Sequence, residues 1–193
     1  MNIHDMIKSH TSRLAIVAII VALAVLLLMP VEMSAQQTAA IGQQLYVMKI
    51  LNPQLKIVGV LGSSLSDEDL QYITRMGIAQ GIEIIFARPK GSNEIAKLYK
   101  LMVSTQKVQM IWLPDSNDVT MLGIGFQFLR ENTLLDKVGL CTPFKPMVDT
   151  GALCSVQKEN GKVVAYVNKR NADLLNISVP VNEPNALITY VMR

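Results

Sequence analysis

The sequence predicts an α/β fold, a three-layer sandwich in which a mostly parallel sheet is flanked by helices and preceded by an N-terminal hydrophobic helix. Two observations predict it. Residues 14–29 are an unbroken apolar run in a chain that is 50% hydrophobic, and the remainder has an ordinary soluble composition. After this run, short β-branched segments alternate with longer segments of helical periodicity, a pattern typical of parallel strands joined by crossover helices. The length of 193 residues suits one domain with an appendage.

Residues 1–35 have the layout of an export signal. Lys8 and Arg13 precede the apolar run, Pro30 closes it, and small residues follow at 34–35. This layout is typical of a signal peptide, so we expect cleavage near Ala35. The alternative is an uncleaved signal anchor that holds the protein at the membrane, because about 17 apolar residues reach the lower limit for a membrane span. Either way, the positive flank predicts that the rest lies in the periplasm or at the outer face of the cytoplasmic membrane.

The elements after the signal follow in a regular order. Residues 36–55 predict a linker with one short helix at 41–51, which ends before Pro53. Residues 56–193 predict the α/β lobe. Its β-branched runs predict strands at 56–61, 82–87, 108–113, 137–141, 151–156 and 187–191. Its helical segments are 66–80, with Ser66 as N-cap, 92–104, with Ser92 or Asn93 as N-cap, 119–132 and 160–174.

The composition excludes several chemistries. Both histidines, His4 and His10, precede the apolar run, and the chain has only two cysteines. No Ser-His-Asp or Cys-His nucleophile and no ordinary His/Cys zinc site can therefore form within the exported part. The net charge of +3 is modest and the basic residues are scattered, which gives nucleic-acid binding little support. We predict a protein that is not an enzyme and that holds no metal or other cofactor.

Several short segments resemble a known family in their order and spacing. They are residues 57–61, 92–95, 111–119, 148–153 and 177–180. Together they are similar to the ABC-transporter substrate-binding proteins of the tryptophan/tyrosine type, and in particular to the second, ligand-facing lobe of those periplasmic binding proteins. The resemblance runs from about Lys56 to Arg193. It implies a binding-protein lobe that takes a small carboxylate or amino-acid ligand as part of an ABC-type transport system.

The resemblance covers one lobe, whereas the family holds its ligand between two. It therefore implies that a protein partner or a homodimer supplies the missing lobe. The chain also departs from the family pattern, with Gly62-Ser63-Ser64 after the first strand and Ser116 in place of an acid after the third, while Asn117 matches. These departures leave open an alternative in which the lobe is a structural or docking domain of a cell-envelope assembly and no longer binds a small ligand.

The candidate ligand-binding residues are Ser63, Ser64, Asp115, Ser116 and Asn117. Open α/β sheets bind ligands beyond the carboxyl ends of their strands, and there the loops 62–66, 114–118 and 142–149 would meet. Hydroxyl, amide and helix N-terminal N–H groups in these loops suit a small anion. The alternative is that these residues are only helix caps and turn residues. No glycine-rich nucleotide motif is present in the first loop.

Two pairs of side chains could take part in chemistry, one as a catalytic carboxylate pair and the other as a disulfide. Asp115 and Asp118 are close in sequence, but we expect one N-cap and one first-turn acid, since no base or nucleophile completes a catalytic set. Cys141 and Cys154 are predicted near the ends of neighbouring strands. An oxidising compartment permits a disulfide between them. Buried free thiols are the alternative that we favour, because adjacent parallel strands rarely present ideal disulfide geometry.

Overall fold

The computed structural model of the protein describes residues 37–114, 123–181 and 187–193. The strands are β1 (Gln37–Thr38), β2 (Ile57–Leu61), β3 (Glu83–Ala87), β4 (Met110–Trp112), β5 (Gly139–Thr142), β6 (Cys154–Glu159), β7 (Lys162–Val167) and β8 (Ile188–Met192). The helices are α1 (Ile41–Leu51), α2 (Asp67–Ala79), α3 (Ser92–Lys100), which continues as a π-helical turn over Leu101–Thr105, α4 (Ile124–Leu135), α5 (Lys145–Asp149) and α6 (Lys169–Leu174).

The strands form one mixed sheet in the order β3-β2-β4-β5-β6-β7-β8. From β3 to β6 all neighbours are parallel. β7 is antiparallel to β6, and β8 is parallel to β7. β1 pairs antiparallel with the far end of β6, beyond the residues that pair with β5. The expectation of a mostly parallel sheet is confirmed, with an antiparallel part added on one side.

Helices cover both faces of the sheet, so the predicted three layers are present. On one face, Leu45 and Met48 of α1 and Ile73 of α2 pack in one core with inward residues of the strands. On the other face, Tyr99 of α3 and Leu129 of α4 belong to a second core. Each core member is nearly inaccessible to water, and burial of such side chains contributes about 1.5–3 kcal/mol each.

The helix at 41–51 has the predicted bounds and lies in the core of the lobe. Its buried side chains are Gln44, Leu45, Val47, Met48 and Leu51. Such burial is unlike an extended linker, in which polar residues face water on all sides. The helix in this segment therefore packs against the sheet as part of one helical layer.

The predicted helix over 160–174 is wrong in its first half. Residues 162–167 form β7, which pairs with β6 in full register, and only Lys169–Leu174 is helical. The cause is the Asn160-Gly161 pair, whose φ angles of 49° and 79° are left-handed. Two such residues form the tight turn that matches the twist of a hairpin. The valines of β7 then suit a strand better than a helix.

The other predicted elements agree with the structure apart from shifts of their ends, whereas β1 and α5 lie in segments predicted as linker and loop. Ser66 is the N-cap of α2, as predicted. The predicted caps of α3 are wrong, because Gly91 precedes the first turn and no side chain caps it. The start of the helix predicted at 119–132, and the signal at 1–35, lie outside the described residues. Within the ranges that the structure describes, no helix combines the length and hydrophobicity needed to cross a membrane.

Candidate functional site

The sheet has a topological switch point between β2 and β4. The chain passes from β2 through α2 to β3 on one side, and from β3 through α3 to β4 on the other side of β2. α2 packs on one face of the sheet, whereas α3 and α4 pack on the opposite face. Open α/β sheets bind ligands at such a switch point, and we refer to the space beyond the ends of β2 and β4 as the crevice.

The carboxyl ends of β2, β4 and β5 form one edge of the sheet, which we call the carboxyl edge. Val60 pairs with Trp112, and Trp112 pairs with Cys141, so the three strands end at the same level. The loops that follow them are those predicted to meet. The structure thus brings the start of all three loops together, as adjacent strands are about 4.8 Å apart.

The predicted site residues fall into two groups. Ser63 and Ser64 lie exposed in the loop directly after β2, at the switch point. Both take part in polar or electrostatic interactions with other residues. Asp115, Ser116 and Asn117 lie outside the described residues.

The start of α2 gives the crevice a negative side. The Ser66 hydroxyl accepts a hydrogen bond from the Asp69 N–H at 3.1 Å, and the Asp69 carboxylate accepts one from the Ser66 N–H at 2.9 Å. The Ser66 hydroxyl also donates to the Asp69 carboxylate at 2.6 Å, and this bond, followed by the bond from the Ser66 N–H, lowers the pKa of Asp69. Asp67 and Glu68 add further charge, although Arg88 pairs with Asp67 at 2.6 Å. Such acids stabilise the helix and repel a second anion.

The start of α4 has the opposite character. Its N-cap is Gly123, with φ of 62° and no side chain, and its first turn contains no acid. Among the residues that the structure describes, no side chain caps the first N–H groups of this helix. α2 and α4 thus begin on opposite faces of the sheet.

The third loop is held by buried polar contacts and presents an aromatic ring. The Thr142 hydroxyl accepts a hydrogen bond from the Phe144 N–H at 3.2 Å. The buried Gln157 amide donates to the Pro143 carbonyl and to the Ser155 hydroxyl. Phe144 itself is 44% exposed. Sequence reasoning did not single it out, because only the exposure distinguishes it from a core residue.

Helix α1 is fixed beneath the carboxyl edge by a buried hydrogen-bond chain. The Trp112 indole Nε1 donates to Gln44 Oε1 at 3.1 Å, and Gln44 Nε2 donates to the Ala39 carbonyl at 2.7 Å. Buried polar groups with all partners present fix one arrangement of their elements. This chain joins β4, which borders the switch point, to the segment that enters the lobe.

Cys141 and Cys154 are directly opposite each other on β5 and β6. Both are buried free thiols, and their Sγ atoms are 2.7 Å apart. Burial, and then the hydrogen bond with Cys154, raise the pKa of the Cys141 thiol well above its usual value. Neither cysteine is therefore an exposed, activated nucleophile.

The opposite end of the sheet has a cavity of its own. It has a volume of about 370 Å³ and is bordered by Gln54, Gln109, Lys137 and Asn176, among others. Gln109 is occupied there, since its side-chain oxygen accepts from the N–H groups of Lys56 and Ile57. Within the described ranges, no group of His, Cys, Asp and Glu residues could hold a metal ion.

Comparison with solved structures identifies similar folds. An ABC domain in complex with L-Trp from Streptococcus pneumonia has a TM-score of 0.61 and 22% identity, over 72% of this chain and 58% of that chain. A conserved domain protein from Vibrio cholerae has a TM-score of 0.62 and 16% identity, over 81% and 61%. A substrate binding protein with adhesive properties from Clostridium difficile, in its ligand-free, open structure, has a TM-score of 0.62 and 16% identity, over 80% and 60%.

The alignments thus span about three fifths of each of these solved chains. No protein-family model matches the sequence. A search of curated proteins finds no significant relative. The chain has the fold of the ABC-type substrate-binding proteins that its sequence motifs resemble.

Proposed function

We propose that the protein is an exported, non-enzymatic binding domain that takes a small amino acid at the switch point of the carboxyl edge. The observation that carries this proposal is the switch point between β2 and β4, together with the acidic first turn of α2 and the first turn of α4, which contains no acid. An amino-acid zwitterion fits this pair. Its carboxylate suits the uncapped N-terminus of α4, and its ammonium suits the acids at the start of α2.

Ser63 and Ser64 are the hydroxyl groups next to this crevice, and Phe144 supplies an aromatic surface at the same edge. Asp115, Ser116 and Asn117 follow β4 in sequence, so they extend the proposed binding set. The complex of a fold neighbour with L-Trp supports an amino acid as the ligand class. This small set of polar groups is enough to orient the ammonium and carboxylate of an amino acid.

A crevice on one lobe encloses a ligand on one side only. We therefore include in the proposal a second surface over the carboxyl edge, supplied by a homodimer or by a protein partner such as a component of an ABC-type transport system. The amino-terminal segment 1–35 would act as a signal peptide or a signal anchor, and the lobe would work in the periplasm or at the outer face of the membrane.

A thermal-shift screen with L-amino acids and small carboxylates tests the binding. At a ligand concentration one hundred times Kd, occupancy raises Tm by roughly 5 °C or more for a chain of this size. A double variant, Ser63→Ala with Ser64→Ala, should lose most of this rise, measured against its own Tm without ligand. Absence of a shift with every compound would contradict the proposal and leave the docking function as the better account.

Light scattering tests the second surface. The proposal expects a dimer mass, or a monomer that binds the amino acid weakly until a partner is added. A strict monomer that binds the same amino acid tightly would show that no second surface is needed.

A further inference from the structure

Among the neighbouring strands in the order from β3 to β8, the two cysteines lie at the shortest pairing; the short strand β1 pairs with β6 through two residues as well. β5 and β6 are paired through Cys141 with Cys154 and Thr142 with Ser155 alone, whereas β6 and β7 are paired along six residues. We call this β5–β6 junction the seam. It joins the parallel strands that carry the switch point to the antiparallel part of the sheet. A covalent link would therefore act where the backbone pairing is least extensive.

The geometry of the pair is close to that of a disulfide. Registered residues on neighbouring strands have Cα atoms about 4.8 Å apart, which falls inside the range of about 4.4–6.8 Å for bridged cysteines. Cys141 and Cys154 also point to the same face, where both belong to the core beneath α1. Their Sγ atoms are separated by 2.7 Å, so a small rotation of the side chains brings them to bonding distance.

We propose that Cys141 and Cys154 form a disulfide that clamps the seam and closes the loop 142–153 of the carboxyl edge. In this step both S–H bonds break and one S–S bond forms. Two electrons break the S–S bond of a disulfide oxidant, either a thiol–disulfide oxidoreductase or oxidised glutathione, and the two protons are taken up by the two thiols that this reduction forms. The disulfide depends on the proposed function in one respect, because export brings the chain to a compartment that contains the oxidant.

The bond has to form before the core closes. Both side chains are buried in the folded lobe. Burial keeps the pKa of Cys141 high, so the reactive thiolate is scarce, and the sulfur cannot be reached by an oxidant. Oxidation therefore takes place on the unfolded or partly folded chain. A chain that has folded in the reduced state should stay reduced, and a chain that has folded in the oxidised state should resist reductants.

The clamp holds one wall of the proposed site. The closed loop contains Thr142 and Phe144, and the strand on its far side contains Ser155, which accepts a hydrogen bond from Gln157. Closing a loop of this length removes entropy from the unfolded chain and raises Tm by about 5–10 °C for a protein of this size. The folded positions of the loop residues need not change.

The experiment refolds the full chain from reduced denaturant in a buffer of reduced and oxidised glutathione, and then alkylates it in denaturant. The expected product shows no alkylated cysteine by intact mass, and two after reduction. The Tm of this product should fall by about 5–10 °C when it is refolded with reductant. Cys141→Ala with Cys154→Ala serves as the control, since its Tm should not depend on reductant.

Two alkylated cysteines after oxidative refolding would overturn the proposal, and so would a mixed disulfide with glutathione on each thiol. The same alkylation on protein taken from cells tests export separately. A disulfide in the refolded chain together with free thiols in cells would contradict export and leave the clamp intact. Because the readout is a mass, loss of amino-acid binding has no effect on it.

Discussion

Trp112 and Gln44 are joined by a buried hydrogen bond of 3.1 Å between the indole Nε1 and the amide Oε1. The bond connects the strand beside the switch point to α1, which lies in a part of the chain that the sequence indicates only weakly as helical. The Gln44 side chain also donates to the Ala39 carbonyl. Through these two bonds, α1 and the residues before it are attached to the sheet of the lobe.

Gln44→Leu should destabilise the protein. The change leaves the Trp112 N–H and the Ala39 carbonyl without these partners in a buried place, which costs about 1–3 kcal/mol. Urea unfolding followed by Trp112 fluorescence measures the change. Gln71→Ala, at an exposed position of α2, is the matched control and should stay within about 0.5 kcal/mol of the wild type. If Gln44→Leu and the control have equal free energies of unfolding, the bond makes no net contribution to stability.

Gly77→Ala should destabilise the lobe, because a Cβ there would lie 2.5 Å from Ile84 Cγ1 and 2.9 Å from the Ile82 carbonyl oxygen. Overpacking of this kind costs about 1–3 kcal/mol. Gly42→Ala in α1 is the control, since its Cβ would meet only Met76 Sδ at 3.5 Å. The helix propensity of alanine should then make that variant equally or more stable. Thermal unfolding of the two variants compares them, and a stable Gly77→Ala would contradict the close packing of α2 on β3.

Alkaline pH should destabilise the protein through Tyr99. Its hydroxyl donates to Asp136 Oδ2 at 2.8 Å, and burial and then this bond raise the pKa of Tyr99 above its ordinary value. Above pH about 10 the unfolded tyrosine loses its proton while the folded one keeps it, so stability is lost as pH rises. Tyr99→Phe should show a shallower fall. Since Tyr166 and Tyr190 also have raised pKa values, some fall should persist. Identical slopes in both proteins would contradict this role.

Phe144→Ala should weaken ligand binding and lower stability only in part. Phe144 is 44% exposed, so part of its burial is lost on truncation, whereas an aromatic contact with a bound ligand is worth about 0.5–1.5 kcal/mol. We expect Kd to rise by up to about tenfold. Leu135→Ala is the control, because Leu135 is 79% exposed at the end of α4, far from the carboxyl edge. Equal Kd values for both variants would exclude Phe144 from the site.

The strands and layers were predictable where one local signal was strong. The β-branched run before Gly62 and the Ser66 cap with its three acids specify β2 and α2 without tertiary information. The wrong helix at 160–174 shows where sequence patterns conflict, since the Asn160-Gly161 pair predicts a hairpin turn in a segment otherwise read as helical. This pair is sufficient by itself to predict the turn.

The candidate site could be predicted only as a set of loops. The sequence order predicts that the loops after β2, β4 and β5 share one edge, because crossover connections place parallel strands side by side. The exposure of Phe144 and the missing cap of α4 depend on how the third loop and Gly123 fold. Nor did the spacing of the cysteines predict that Cys141 and Cys154 would share one register position.

The most direct test of the binding proposal is an NMR titration of the lobe with the amino acid that gives the largest thermal shift. We expect backbone amide shifts confined to residues 62–66, 115–117, 123–126 and 142–145, with saturation. Shifts should be absent around Gln54, Lys137 and Asn176, which border the cavity at the other end of the sheet. Shifts at that cavity, or none at the carboxyl edge at millimolar ligand, would contradict amino-acid binding at the switch point.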